Sequence, residues 1–254
     1  MLQIHQFPCL DDNYGFLIHD PGSGATATVD TPDADEILRQ AAVKGWTVTD
    51  IWNTHWHPDH AGGNEAIKKA TGARVSGPAE VQRIGAAPDR VLVEGDVVQL
   101  GSSSARVIDV GGHTLGHIAF VFDEERVAFV GDALFAMGCG RLFEGTPQQM
   151  WTSLQKIAAL PDDATLYCAH EYTQSNARFA LHVDAGNAAL QARAAEVSAL
   201  RAAGKPTVPM TLRLEKQTNP FLRAPQLKAS IGKAGAEDWE AFAELRSRKD
   251  SYKG

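Results

Sequence analysis

The sequence has few cysteines and no long apolar run, and both absences narrow the kind of protein that it encodes. Cys9, Cys139 and Cys168 are too few for a disulfide framework, which favours a reducing compartment. No stretch approaches the roughly 20 apolar residues of a membrane span, and the mean hydropathy is −0.22. The first residues hold neither a basic leader nor an apolar block. We therefore expect no export signal, no membrane partner and a cytoplasmic location.

Composition and charge indicate a globular protein that does not bind nucleic acid. The chain has 254 residues, of which 44% are hydrophobic, enough for one large domain or two modest ones. The net charge is −7, which argues against a general nucleic-acid partner. Residues 1–170 hold 11 basic and 22 acidic side chains, whereas residues 171–254 hold 13 and 9. The basic segment indicates either an anion site or an ordinary solvated helix surface.

The pattern of apolar residues predicts an α/β protein with two domains. Up to residue 170, short strand-like runs alternate with helical segments, such as Thr26–Val29 followed by Asp33–Ala42. Beyond it, Ala-rich segments such as Asn187–Ala203 favour helices. We therefore predict a catalytic domain over residues 1–170 and a mainly helical domain over residues 171–254.

The segment His55-Trp-His57-Pro-Asp59-His60 follows an apolar strand and predicts a metal site. In an extended segment, residues two apart point the same way, so His55 and His57 can face one ion. Asp59 and His60 follow where the chain turns towards a helix. Imidazole and carboxylate donors suit zinc, iron or manganese, and the lack of cysteine ligands argues against a structural zinc site. The alternative is a polar surface loop, which such a density of histidine makes a poor explanation.

Three more candidate ligands follow other predicted strands. His113, Asp132 and His170 each stand where an apolar run ends and the chain leaves the core. Together with the four residues above they make seven donors, too many for one tetrahedral ion. If the strand ends converge, the set suits two divalent ions that share a carboxylate and a bridging water.

The motif and its downstream partners resemble the metallo-β-lactamase superfamily. This resemblance implies an αβ/βα sandwich with a metal site at one edge, followed here by the helical domain. It also implies a distribution of ligands. One ion would be bound by His55, His57 and His113, the other by Asp59, His60 and His170, with Asp132 between them.

Further segments resemble one branch of that superfamily, glyoxalase II, the hydroxyacylglutathione hydrolases. The matching segments span the chain and are Asp12–Tyr14, Gly131–Thr146, Ala169–Thr173, Asn219–Arg223 and Leu245–Asp250. The resemblance implies that glutathione binds to five side chains, Arg141, Phe143, Tyr172, Arg246 and Lys249. Arg246 and Lys249 are three apart on a predicted helix, so they share a face suited to a carboxylate. Some family members have lysine at position 141 and tyrosine at position 143.

The resemblance also implies a reaction, the hydrolysis of S-D-lactoylglutathione to D-lactate and glutathione in methylglyoxal detoxification. A hydroxide bound by two divalent metal ions would attack the thioester carbonyl. Zinc is the expected metal, with iron or manganese as alternatives. Asp59 and Asp132 would hold and orient that hydroxide. We expect a monomer that acts on this small molecule.

Four alternatives remain open at the level of sequence. A persulfide dioxygenase with one iron is the main enzymatic rival, although it would not need the second ligand set. A β-lactamase or lactonase would leave Arg141, Arg246 and Lys249 without a purpose, and an acidic first domain disfavours a nuclease. A non-catalytic metal-binding domain would not need all seven ligands.

Cys139 and Cys168 are expected to be structural, and His117 is expected to support a ligand.

Overall fold

The structure is a computed structural model that describes residues 2–85 and 87–254. The chain folds into two compact units. The first comprises Met1–Asp109 and Gly116–Gly131, and the second comprises Val110–Leu115 and Asp132–Gly254. These units follow spatial contacts, whereas the boundary after residue 170 follows a change in composition and stays a prediction.

The described residues of the first unit form ten strands. They are β1 (Gln3–Cys9), β2 (Asn13–His19), β3 (Thr26–Val29), β4 (Asp50–Trp52), β5 (Arg74–Gly77), β6 (Arg90–Val91), β7 (Val97–Leu100), β8 (Ser103–Asp109), β9 (Ile118–Phe122) and β10 (Val127–Gly131). The strands β1 to β6 form one sheet in chain order, antiparallel through β3 and parallel from β3 to β6. The strands β7 to β10 form an antiparallel meander.

Helices make the parallel crossovers of the first sheet. They are α1 (Ala34–Lys44), α2 (Pro58–Ala61) and α3 (Asn64–Thr71), and a 3₁₀ turn spans Ala79–Arg83. Helix α1 begins where the Asp33 carboxylate accepts a hydrogen bond from Glu36 N and ends at Gly45, whose φ of 70° suits glycine. Ile37 and Ile67 from these helices pack with Leu17 and Ile51 of the sheet in one apolar cluster. This burial fixes the end of β4, where the histidine motif begins.

Aromatic side chains join the two sheets of the first unit. The ring centroids of Trp52 and Phe120 are 5.4 Å apart, as are those of Phe16 and Phe129. Such contacts stabilise the sheet interface beyond the burial of apolar area alone. These contacts between the two sheets therefore stabilise the position of the carboxyl ends of β3 and β4.

The second unit is mainly helical. Its elements are β11 (Leu134–Phe135), β12 (Gly138–Cys139), α4 (Pro147–Ala158), β13 (Thr165–Cys168), α5 (Thr173–Val183), α6 (Ala188–Ala202), β14 (Met210–Thr211), α7 (Leu212–Thr218), α8 (Ala224–Leu227) and α9 (Asp238–Ser251). The strands β11 and β12 form a hairpin, and β13 pairs with β14. Among the helices of the described residues, none combines the length and apolar composition that a membrane span requires.

Candidate metal and substrate site

Asp30 organises the chain at the end of β4 in the first unit. Its carboxylate accepts hydrogen bonds from Thr54 N at 2.7 Å and from Thr54 Oγ1 at 2.8 Å. The same carboxylate lies 2.8 Å from His60 Nδ1. Asp30 follows β3 with a φ of 59°, a left-handed conformation that turns its side chain back towards β4. One buried carboxylate therefore connects the end of β3 with the start and the end of the histidine motif.

The first two histidines of the motif present nitrogens to a common point. His55 Nε2 lies 3.0 Å from His57 Nδ1, while His55 Nδ1 lies 3.0 Å from Thr54 Oγ1. Two nitrogens bound to one tetrahedral zinc ion would be about 3.3–3.4 Å apart, from bond lengths of 2.0–2.1 Å. The distance of 3.0 Å between the two histidine nitrogens is slightly shorter than this. The strand ends at Trp52, so these histidines lie in the loop that follows it. The structure nevertheless brings the rings of His55 and His57 together, and their binding of one ion stays a prediction.

Asp59 and His60 form a second pair of donors in the first unit. The short helix α2 carries both, and His60 Nε2 lies 3.5 Å from Asp59 Oδ2. Asn13 Nδ2 donates to Asp59 Oδ2 at 3.1 Å, which fixes the orientation of the carboxylate. Because Asp30 binds the His60 ring at Nδ1, it orients Nε2 towards the side of Asp59.

Asp132 lies between two histidines of the second unit. Its Oδ2 is 3.4 Å from His113 Nε2, and its Oδ1 is 3.4 Å from His170 Nε2. These separations are long for hydrogen bonds but match neighbouring ligands around an ion. Each carboxylate oxygen faces a different imidazole, which is the arrangement that a bridging carboxylate requires.

The loop after β12 holds His113 in place. Its Nδ1 lies 2.9 Å from the Arg141 carbonyl oxygen, which can accept a hydrogen bond from this ring only when Nδ1 carries a hydrogen. Phe143 N donates to the His113 carbonyl at 3.2 Å. A Cβ at Gly140 would stand 2.1 Å from the Asp132 carbonyl oxygen, so this loop needs glycine to approach the ligands.

The donor sets of both units fit divalent metal ions. Each unit offers imidazole nitrogens and carboxylate oxygens at ligand-like separations, and three of the rings are fixed through their other nitrogen. Zinc, iron and manganese all accept this chemistry. The arrangement can bind and activate water and a carbonyl oxygen, provided that metal is supplied.

Three of the predicted substrate residues lie near the ligands of the second unit. Tyr172 stacks on His170 with ring centroids 4.7 Å apart, and Phe143 contacts His113 edge-on at 5.2 Å. Phe143 is 62% exposed although it is apolar. Arg141 has an exposed side chain. These exposed groups have room to contact a ligand.

The two predicted cations of α9 lie in the same unit. Arg246 is buried, and its Nη1 donates to the Cys139 carbonyl at 2.8 Å. Lys249 Nζ donates to the Ser175 carbonyl at 3.2 Å. Burial lowers the pKa of Lys249 to about 8, with smaller contributions from nearby arginines. An anion that bound there would therefore meet cations that have lost part of their hydration.

The cysteines have no nucleophilic character. Burial raises the pKa of Cys139 to about 11 and that of Cys168 to about 12, so both are thiols at neutral pH. His117 stacks on His55 with centroids 4.6 Å apart, consistent with the expected supporting role.

Asp30 is a candidate site residue that sequence reasoning missed. It follows the apolar strand β3 as Asp132 follows β10, so the rule that identified Asp132 could have identified it. What the sequence could not show is that its carboxylate turns towards Thr54 and His60.

Known protein families and known proteins match this chain over nearly its whole length. The family model described as metallo-beta-lactamase superfamily matches residues 11–170, and the model for the hydroxyacylglutathione hydrolase C-terminus matches residues 171–252. A hydroxyacylglutathione hydrolase of Erythrobacter litoralis is 58% identical over 254 residues, covering 99% of this chain and 100% of that protein. One of Maricaulis maris is 55% identical, covering 99% of each chain.

A solved structure agrees in fold. The crystal structure of ETHE1 from Myxococcus xanthus has a TM-score of 0.68 at 22% identity and covers 98% of this chain and 90% of that chain. The predicted α/β fold of this superfamily with a helical C-terminal region is thereby confirmed. The chain belongs to the hydroxyacylglutathione hydrolases of the metallo-β-lactamase superfamily, as its sequence motifs predicted.

Proposed function

We propose that this chain hydrolyses the thioester S-D-lactoylglutathione to D-lactate and glutathione, the second step of methylglyoxal detoxification. The observation that carries the proposal is the identity of 58% to a hydroxyacylglutathione hydrolase over the full length of both chains. The donor geometry of the two units supports it, because hydrolysis at neutral pH needs an activated water.

Two divalent ions are proposed as cofactors, with zinc preferred to iron and manganese. His55, His57 and His113 would hold one ion, and Asp59, His60 and His170 would hold the other, with Asp132 shared. When bound, such ions lower the pKa of water from 15.7 to about 7 and polarise a carbonyl oxygen. The separation of 3.4 Å between each Asp132 oxygen and its own imidazole supports the shared role.

The chain's own residues bind and orient the substrate. The guanidinium groups of Arg141 and Arg246 and the ammonium of Lys249 are suited to the glycyl carboxylate of glutathione. Phe143 and Tyr172 offer apolar ring faces to the peptide, and Phe143 contributes no hydroxyl. These contacts hold the thioester through a part that does not react, which raises the effective concentration of the carbonyl at the site.

The departing thiol needs little help from the protein. A thiol has an ordinary pKa of about 8.5, so glutathione leaves as a thiolate without a strong general acid. Asp59 is proposed to orient the attacking water as well as to bind metal. Asn13 Nδ2, 3.1 Å from Asp59 Oδ2, supports that orientation by restraining the carboxylate.

We further propose a cytoplasmic monomer with no nucleic-acid or membrane partner. The three cysteines are free and buried, which suits a reducing compartment. The net charge of −7 does not favour a polyanionic partner.

The test is a thiol-release assay on S-D-lactoylglutathione with metal analysis of the same sample. We expect turnover and about two ions per chain, both lost in Asp132→Ala. Full turnover in metal-free Asp132→Ala protein would refute the mechanism. Oxygen uptake with glutathione persulfide, without thioester hydrolysis, would instead assign a persulfide dioxygenase.

A further inference from the structure

Asp250 joins two of the cations that are proposed to bind glutathione. It lies one helical turn after Arg246 on α9, and Arg246 Nη2 donates to its Oδ1 at 2.9 Å. Arg141 Nε, from the loop after β12, lies 3.8 Å from the same oxygen. One carboxylate oxygen therefore connects a cation of the helix with a cation of the loop.

The surroundings of Asp250 are strongly basic. Arg246, Arg178 and Arg141 all lower the pKa of Lys249, whereas Asp250 raises it. Like charges this close repel each other, and a carboxylate between them offsets part of that repulsion. Asp250 therefore offsets part of the repulsion between the arginines and raises the pKa of Lys249.

Arg246 has a second anchor, and the two anchors together fix its plane. Nη1 donates to the Cys139 carbonyl, and the guanidinium lies over the Phe221 ring at 5.0 Å. The Cys139 carbonyl accepts from one terminal nitrogen of the guanidinium, and Asp250 accepts from the other. A guanidinium binds a carboxylate well only when its fork is correctly oriented, so this anchoring bears on affinity.

We propose that Asp250 is a positioning residue for recognition of the glycyl carboxylate of glutathione, which it achieves by holding Arg246 and Arg141 in register. This inference rests on the proposed function and names the part of the substrate that the residue serves. Asp250 acts through the two arginines and takes no part in thioester cleavage. Its side chain is 44% exposed, so it does not act as part of the core.

The test compares Asp250→Ala and Asp250→Asn on two substrates. With S-D-lactoylglutathione we expect KM to rise about 10-fold in Asp250→Ala, the size of one charge-assisted hydrogen bond, with kcat unchanged. Asp250→Asn keeps an oxygen that accepts from Arg246, so most of the affinity should return. With the lactoyl thioester of N-acetylcysteamine, which has no glycyl carboxylate, both variants should match the wild type.

Glu244→Ala is the matched control. Glu244 makes an ion pair with Arg248, four residues later on the same helix and outside the cluster, although Arg248 is more exposed than Arg246. It should leave KM unchanged. An unchanged or lower KM in Asp250→Ala, or an equal loss on both thioesters, would overturn the proposal.

Binding of S-methylglutathione, measured by calorimetry, separates this proposal from the proposed function. If the wild type binds it but hydrolyses neither thioester, the proposed function fails and the ratio of Kd between Asp250→Ala and wild type still decides the role of Asp250. A rise in Kd of about 10-fold supports it, and an unchanged Kd overturns it. If the wild type does not bind S-methylglutathione, both proposals fail.

Discussion

Glu215 lies at the centre of a buried polar network in the second unit, and Glu215→Gln is the sharpest test of what stabilises that unit. The residue is fully buried, and Arg193 is 5% exposed. One carboxylate oxygen accepts from Arg193, and the other accepts from Met137 N at 2.9 Å and Asn219 Nδ2 at 3.0 Å. Asn219 Nδ2 also donates to the Gly138 carbonyl, so the network holds the β11–β12 hairpin.

The expected cost follows from the charge that the substitution leaves behind. The glutamine amide can turn its oxygen either towards Arg193 or towards the two neutral donors, Met137 N and Asn219 Nδ2. In each orientation its NH₂ group faces the remaining donors, with which it cannot form a hydrogen bond. Arg193 also becomes a buried cation without a counter-charge. Removing one partner of a buried pair costs about 3–5 kcal/mol in free energy of unfolding. Because the hairpin includes Cys139, whose carbonyl anchors Arg246, we also expect a higher KM.

Urea denaturation at one fixed metal loading measures the effect. Lys216→Ala is the control, because Lys216 is the next residue of α7 and its partner Asp162 is 53% exposed. Its loss should cost less than about 1 kcal/mol. The double variant Arg193→Met, Glu215→Gln should recover part of the stability, since no cation stays buried and the glutamine oxygen can still accept from Met137 N and Asn219 Nδ2. A Glu215→Gln cost equal to that of Lys216→Ala would refute the reasoning.

Three further predictions concern the site. Asp30→Asn, which removes the charged acceptor behind His60, should weaken metal binding about 10–100-fold in competition with a coloured chelator; an unchanged affinity would exclude a supporting role. The KM for the glutathione thioester should rise as pH passes about 8, because Lys249 is protonated below its lowered pKa and neutral above it; steady-state kinetics should show no such rise in Lys249→Ala. Removal of metal by a chelator should lower Tm and abolish turnover, and added zinc should restore both; a Tm that chelation leaves unchanged would contradict ligation by the folded state.

The elements with regular apolar periodicity were predictable, and the short ones were not. The strand Thr26–Val29 has the predicted bounds, because alternation and burial agree there. Helices α7 and α8 escaped prediction. Helix α7 is fixed by tertiary contacts such as those of Glu215 and Thr218, and α8 has only four residues. Local sequence does not encode such contacts.

At the site, residue types were predictable and orientations were not. A histidine or aspartate at the end of an apolar strand is visible in the sequence, which is how His113, Asp132 and His170 were identified. The tautomer of His113 depends on the Arg141 carbonyl, 28 positions along the chain. The orientation of His60 likewise depends on Asp30. These are contacts between distant segments, so only the fold provides them.

The placement of charge decides anion binding more than its sum does. Residues 171–254 carry four more basic than acidic residues. Arg193 does not add to an anion-binding site, because it is buried and forms an ion pair with Glu215. Arg246 and Arg141 share Asp250, and Lys249 and Arg178 add positive charge nearby, so positive charge exceeds negative charge among these side chains. A chain with a net charge of −7 therefore has a locally basic cluster, which is the one proposed to bind glutathione. Asp250 reduces the charge of that site but, by orienting its arginines, makes it selective.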